Sequence, residues 1–155
     1  MFIRYFVELP LPFDDAEERL LRAPGDWLPG LARAAEAKGE LLLAEVGFGP
    51  PGRRIEKQVK IELGVPIRFP SKTALPMSWR PVGAEALFPE LEADVEVGSL
   101  GASRSQLSIS ARYKPPWGVI GRAIDRALLH RVAEATLKDF LDRVGEAMRS
   151  LVPSP

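Results

Sequence analysis

The chain has no cysteine and a single histidine, His130, among its 155 residues. Without cysteine it can form no disulfide, thiolate metal site or thiol nucleophile. Acidic and basic residues number 21 each, and this zero net charge argues against a dedicated nucleic-acid binder. No run approaches the ~18 apolar residues of a membrane-spanning helix. Arg4 and Glu8 break the apolar N-terminus, so we expect no signal peptide and a cytoplasmic protein.

The rest of the composition is that of an ordinary globular protein. Apolar residues make up 46% of the chain and charged residues 27%, close to the average for soluble domains. A chain of this length suits one domain. We therefore expect residues 1–152 to form a single domain, with residues 153–155 as a frayed tail.

The first third of the chain predicts one strand and two short helices. Residues 2–9 alternate between apolar and polar positions, as a strand does. Asp14 and Glu17 have the spacing of a capping box, which predicts a helix over residues 14–22. A second helix is predicted over residues 28–38, where a glycine follows to end it.

Beyond residue 39 the apolar period changes to two. It predicts strands over residues 40–48, 55–63, 72–80, 91–97 and 106–113. Each strand has one apolar and one polar face, which indicates an antiparallel sheet covered on one side. Pro76 interrupts the third strand, and a bulge there would turn Trp79 outward and Arg80 inward. Residues 119–151 predict one long amphipathic helix, the only element large enough to cover the sheet.

Three segments carry a resemblance to a known superfamily. They are ARYKPPWGVIGRAIDRALLHRVAEATLKDFLDRV, PMSWRPVGAEALFPELEADVEV and the glycine-rich GFGPPG. They resemble the last strand, hinge and closing helix, the middle strands, and an interstrand loop of START-like (SRPBCC, Bet v 1-related) proteins, including polyketide cyclase/dehydrase-like members. The resemblance implies an α+β helix-grip fold: a curved antiparallel β-sheet wrapped around a long C-terminal helix, with two short helices after the first strand.

That fold implies a cavity between sheet and helix. The candidate ligand-binding residues share an inward parity, and they are Val59, Ile61, Met77, Trp79, Val95, Leu107, Ile109, Tyr113, Leu137, Phe140, Leu141 and Val144. Trp79 and Tyr113 each offer a large apolar face with one polar atom, which would orient a ligand, although ordinary core packing explains them equally well. Arg80 is a further orienting candidate, and Trp27 would close the other end.

Four other motifs have weaker readings. Gly47, Gly49 and Gly52 fit a dinucleotide fingerprint, but the alternating residues that follow favour a hairpin. His130 is read as a structural histidine, with a ligand contact or general base as the alternative. The acidic cluster at residues 14–18 is read as a helical first turn rather than a metal site. Arg112, Lys114, Arg122, Arg126 and Arg131 surround Trp117 in a solvated face, with peripheral membrane contact as the alternative.

These observations leave three functions open. The first is binding or transport of a small hydrophobic ligand, such as a lipid or polyketide, without catalytic residue, metal or cofactor. The second is an enzyme like the polyketide aromatase/cyclases, which needs polar groups to move protons. The third is a protein-interaction module, which predicts a filled core and a large exposed apolar patch. The sequence does not indicate an oligomeric state.

Overall fold

The computed structural model describes residues 2–22, 27, 32–36, 39–48, 55–81, 90–114 and 126–150. In chain order the elements are β1 Phe2–Leu9, α1 Phe13–Leu21, β2 Ala32–Glu36, β3 Gly39–Phe48, β4 Ile55–Leu63, β5 Ile67–Phe69, β6 Lys72–Pro81, β7 Glu90–Ser99, β8 Ser105–Lys114 and α2 Arg126–Ser150. The predicted strands and long helix are present; residues 119–125 and 151 of the predicted helix lie outside the described residues. No helix in these described ranges is long and apolar enough to cross a membrane.

The strands form one antiparallel sheet in the order β1-β8-β7-β6-β4-β3-β2, and β5 pairs separately with β6. Helix α2 contacts β1 at one end of this order and β3 near the other. The sheet therefore curves around the helix, as the helix-grip prediction requires. We call the face toward α2 the inner face and the opposite one the outer face.

The core lies between the inner face and α2. Along β7 buried and more exposed residues alternate, and β8 keeps its odd-numbered residues buried. The apolar stripe of α2 is buried as predicted, through Ala133, Leu137, Phe140, Leu141, Val144 and Met148. Gly145 lets the helix approach β1, because a Cβ there would lie 3.2 Å from Cγ2 of Val7.

The start of α1 differs from its prediction. Pro12, not Asp14, is the N-cap residue, no side chain caps this end, and the Pro12 carbonyl accepts the N–H of Ala16 at 3.0 Å. Asp14 lies inside the first turn, where its charge favours the helix dipole. The Glu17 carboxylate instead accepts a hydrogen bond from the Thr73 hydroxyl on β6. A tertiary contact thus replaces the predicted capping box.

The second predicted short helix is wrong where the structure describes it. Residues Ala32–Glu36 form β2, which pairs antiparallel with β3, with Glu36 opposite Gly39. Alanine, arginine and glutamate favour helices by only tenths of a kcal/mol, about 0.7 kcal/mol at most per ordinary residue, and tertiary context readily overrides this. Here the β3 ladder satisfies the backbone, and Gly39 begins the return strand instead of ending a helix.

Pro76 introduces no change of face in β6. It lies where β6 passes from pairing with β5 to pairing with β4, and its carbonyl accepts the N–H of Gly64 at 2.7 Å. The backbone N and C=O of a strand residue point toward the same neighbouring strand. The N–H that proline lacks therefore falls in the gap between the β5 and β4 ladders, where no ladder hydrogen bond is lost. Trp79 is consequently buried on the inner face and Arg80 is exposed, as the uninterrupted alternation predicts.

Candidate functional site

A row of four large side chains crosses the inner face near one end of the sheet. Ile61 on β4 lies opposite Trp79 on β6, Trp79 lies opposite Leu91 on β7, and Leu91 lies opposite Tyr113 on β8. Each of the four is at most 3% exposed. We call these four residues the inner row. It is an apolar floor with a polar atom at one end, the Tyr113 hydroxyl.

Helix α2 packs on this floor. The ring of Phe140 meets Trp79 edge to face, with centroids 5.2 Å apart and planes at 71°. Such aromatic pairs add about 0.5–1.5 kcal/mol beyond the area they bury. The contact fixes the Trp79 ring between its strand neighbours and the helix.

The polar end of the inner row is a tyrosine–histidine pair. The Tyr113 hydroxyl lies 3.1 Å from Nδ1 of His130, which is half-buried on α2. With a neutral imidazole protonated at Nε2, the hydroxyl donates to Nδ1. Burial raises the pKa of Tyr113 above its ordinary value of 10.0, which favours the protonated, donating phenol. The pair places one donor and one acceptor at the edge of an apolar surface.

The other end of the sheet is closed by α1. Besides the Glu17–Thr73 bond, Arg19 is buried and donates to the main-chain carbonyl of Met148 in the last turn of α2. Trp27 is also buried, and its Nε1 donates to the Leu20 carbonyl at 3.0 Å. Trp27 thus lies where the sequence predicted a closing residue.

All twelve candidate ligand-binding residues are buried between the sheet and α2. Seven have no surface exposed at all, and these are Val59, Val95, Leu107, Ile109, Leu137, Leu141 and Val144. They contact one another as a packed core. The inner-row residues among the twelve are 2–3% exposed, and His130 beside Tyr113 is half-buried.

Some buried inner-face residues were absent from the candidate site, among them Leu91, Ala93 and Ala111. Leu91 completes the inner row, and Ala93 and Ala111 lie opposite each other one step further along β7 and β8. Their inward parity was visible in the alternation of their strands. What the sequence did not show is that the register brings two alanines together beside the large side chains, where they take up the least volume.

The remaining motifs have simple structural roles where the structure describes them. Phe48 pairs with Ile55, so a strand follows the glycine-rich segment and the dinucleotide reading fails; residues 49–54 themselves lie outside the description. Within the described ranges no group of histidine, aspartate or glutamate side chains could hold a metal. In the basic cluster, Arg112 and Lys114 are exposed on β8 and Arg131 on α2, while residues 115–125, including Trp117 and Arg122, lie outside the description.

Comparison with known proteins identifies the fold. No family model and no curated protein matches the sequence. A conserved protein from Geobacillus kaustophilus is similar in structure, with a TM-score of 0.62, 16% identity and coverage of 96% of this chain and 95% of that one. The Zhui aromatase/cyclase from Streptomyces sp. R1128 has a TM-score of 0.56 and 19% identity, covering 96% and 94%.

Ara h 8.0201 has a TM-score of 0.55 at 11% identity, covering 97% of this chain and 99% of its own. The chain has the START-like helix-grip fold. At these identities the likeness is one of architecture. The START-like resemblance of the sequence is confirmed for the fold, and what the site does depends on this chain's own residues.

Proposed function

We propose that this START-like protein binds a small hydrophobic ligand between the inner row and the N-terminal half of α2. The observation that carries the proposal is the apolar floor of Ile61, Trp79 and Leu91, which ends at the Tyr113–His130 pair. Ligand sites are mostly apolar surfaces with a few polar groups that fix orientation. This end of the core has that composition, and α1 closes the opposite end.

The ligand would gain affinity chiefly by burying apolar area, at about 25 cal/mol per Å² before the costs of association. Its single polar group would contact Tyr113 or His130. Because the deeper side chains already pack against one another, the ligand would occupy the His130 end. A ligand with one carbonyl or hydroxyl on an otherwise apolar body meets these conditions.

Native mass spectrometry of the freshly purified protein tests the proposal. We expect a reproducible one-to-one adduct, and solvent extraction then identifies its chemical class. H130A should reduce the bound fraction, because it removes one of the two polar side chains at this end and the acceptor that orients the Tyr113 hydroxyl. R131A is the matched control, since Arg131 is the exposed neighbour on the same helix. Protein that stays empty after exposure to apolar extracts of the source cells would contradict the proposal.

A second candidate, an enzyme of the aromatase/cyclase kind, is favoured by the Tyr113–His130 bond. A histidine that accepts from a tyrosine can relay a proton to or from a bound carbonyl compound. The variants Y113F and H130A distinguish an enzyme from a carrier when both turnover and ligand binding are measured. For an enzyme, turnover of a polyketide-like carbonyl substrate falls while binding of the extracted ligand persists. For a carrier, the parent protein returns the ligand chemically unchanged.

A further inference from the structure

Strand β1 is an edge of the sheet with an unusual outer face. One side of its backbone pairs with β8. Among the described residues, none forms a hydrogen bond with the backbone N–H and C=O groups on its other side. The outer-face side chains are Phe2, Arg4, Phe6 and Glu8, all exposed, with Phe2 at 60% and Phe6 at 57%. An eight-residue edge that presents aromatic side chains is a template for another strand.

The order of these four residues is complementary to itself. When β1 pairs antiparallel with a second β1 around a two-fold axis at Phe6, Phe6 faces Phe6 and Arg4 faces Glu8 on both sides. Aromatic pairs and opposite charges are the favourable cross-strand neighbours. On the inner face the same register places Tyr5 opposite Val7, a pair of half-buried, largely apolar side chains.

Other registers lack this agreement. An axis at Tyr5 or Val7 places Phe6 opposite a charged residue, and an axis at Arg4 or Glu8 places like charges together. An axis between two residues would join the outer face of one copy to the inner face of the other. Among residues 4–8, only the axis at Phe6 pairs both the charges and the aromatic rings.

The surroundings of β1 are compatible with this pairing. Helix α2 meets the strand on its inner face, through the contact of Gly145 with Val7 and the bond from Tyr5 to Asp142. Glu8 already pairs with Arg104, but both side chains are more than half exposed. Such pairs are weak, and a carboxylate can accept from a second donor.

We propose that β1 is the interface of a symmetric homodimer in which two sheets join edge to edge around Phe6. The occupant of this edge is a second copy of the chain. Two paired eight-residue strands make a small interface, and contacts below about 1,200 Å² are typical of weak complexes. The dimer is therefore reversible and its fraction depends on concentration.

Cysteine cross-linking tests the register directly, because the chain has no cysteine of its own. Opposed residues in antiparallel strands have Cα atoms about 4.5–5.5 Å apart, within the 4.4–6.8 Å or so of a disulfide. F6C should therefore form disulfide-linked dimers on mild oxidation. F2C is the matched control with similar exposure, since its two copies would lie about 26 Å apart along the paired strands.

Charge reversal gives an independent readout by sedimentation of the reduced protein. R4E sets one carboxylate against Glu8 at each end and should raise the dimer dissociation constant about tenfold. The double variant R4E/E8R restores opposite charges and should recover most of that loss. Equal cross-linking of F6C and F2C, a dimer insensitive to R4E, or a parent protein that stays monomeric at all accessible concentrations would each overturn the proposal.

Discussion

The Tyr5 hydroxyl donates a hydrogen bond to the Asp142 carboxylate at 3.0 Å and joins the edge strand β1 to α2. The ammonium group of Lys138 lies 5.8 Å from the centroid of the same ring and also pairs with Asp142. These contacts hold one edge of the curved sheet onto the helix. They require the protonated phenol, because a tyrosinate would face the carboxylate as a like charge.

Stability should therefore fall at alkaline pH. Burial first, and then the bond and charge of Asp142, raise the pKa of Tyr5 above its ordinary value of 10.0, and burial raises that of Tyr113. A raised folded-state pKa stabilises the protein fully below pH 10 or so, and this contribution is lost as the pH rises through the folded values. Urea unfolding from pH 8 to 11 or so measures the fall.

The variants Y5F and Y113F assign this pH dependence. The chain has only 2 tyrosines, so the double variant removes every phenol, and its stability should lose the tyrosine-linked part of the slope. In the parent protein, tyrosinate absorbance should appear at higher pH in the folded state than in urea. Coincident titrations in the two states would contradict the assignment.

The close approach of Gly64 to Pro76 predicts that replacing this glycine destabilises the protein. A Cβ at Gly64 would lie 2.9 Å from Cβ of Pro76, a rigid ring atom, so G64A must displace the backbone where β6 changes partners. We expect a loss of about 1–3 kcal/mol in the free energy of unfolding, as for other overpacked sites. G98A is the control, because its new Cβ would meet nothing closer than 3.9 Å. Equal effects of the two substitutions would refute the steric explanation.

The hydrogen bond from Arg19 to the Met148 carbonyl connects α1 to α2, and we expect it to contribute to stability. R19M keeps most of the aliphatic length but removes the donor to the Met148 carbonyl, and should cost about 1–3 kcal/mol. Arg149 is the exposed neighbour of Met148 in the last turn of α2. The control R149M should therefore stay within about 0.5 kcal/mol of the parent protein. Thermal unfolding measures both, and an R19M as stable as R149M would show that the bond contributes nothing.

The burial of Phe140 against Trp79 predicts a large loss of stability when its ring is removed. Phe140 is 1% exposed and packs on Trp79, so F140A should cost about 3–5 kcal/mol. Trp79 fluorescence should also shift as its ring loses its neighbour. F69A truncates the same residue type where it is 54% exposed, and it should change stability by no more than about 0.5 kcal/mol. Comparable losses would contradict the assigned burial.

The alternation of residues predicted which face of β1, β6, β7 and β8 is buried, and in β6 the predicted face continues across Pro76. It could not predict register, so the inner row and the Tyr113–His130 bond emerged only from the structure. Strand β5 was missed because it has only three residues, all of them exposed, and it therefore has no buried face that an alternation of apolar and polar residues could indicate. Strand β2 was taken for a helix because its composition is helical, whereas pairing with β3 decides its conformation.

The pairing of β1 with β8 sets an order of events during synthesis. Phe2 faces Arg112 in the finished ladder, and the Tyr5 hydroxyl finds its acceptor 137 residues later in the chain. Strand β1 therefore leaves the ribosome well before β8 and α2, and neither of these contacts can form until those elements have been made. Contacts so distant in sequence are associated with slow folding. Until then the side chains of β1 that the fold buries, Ile3 and Leu9, are accessible to chaperones and to other nascent chains.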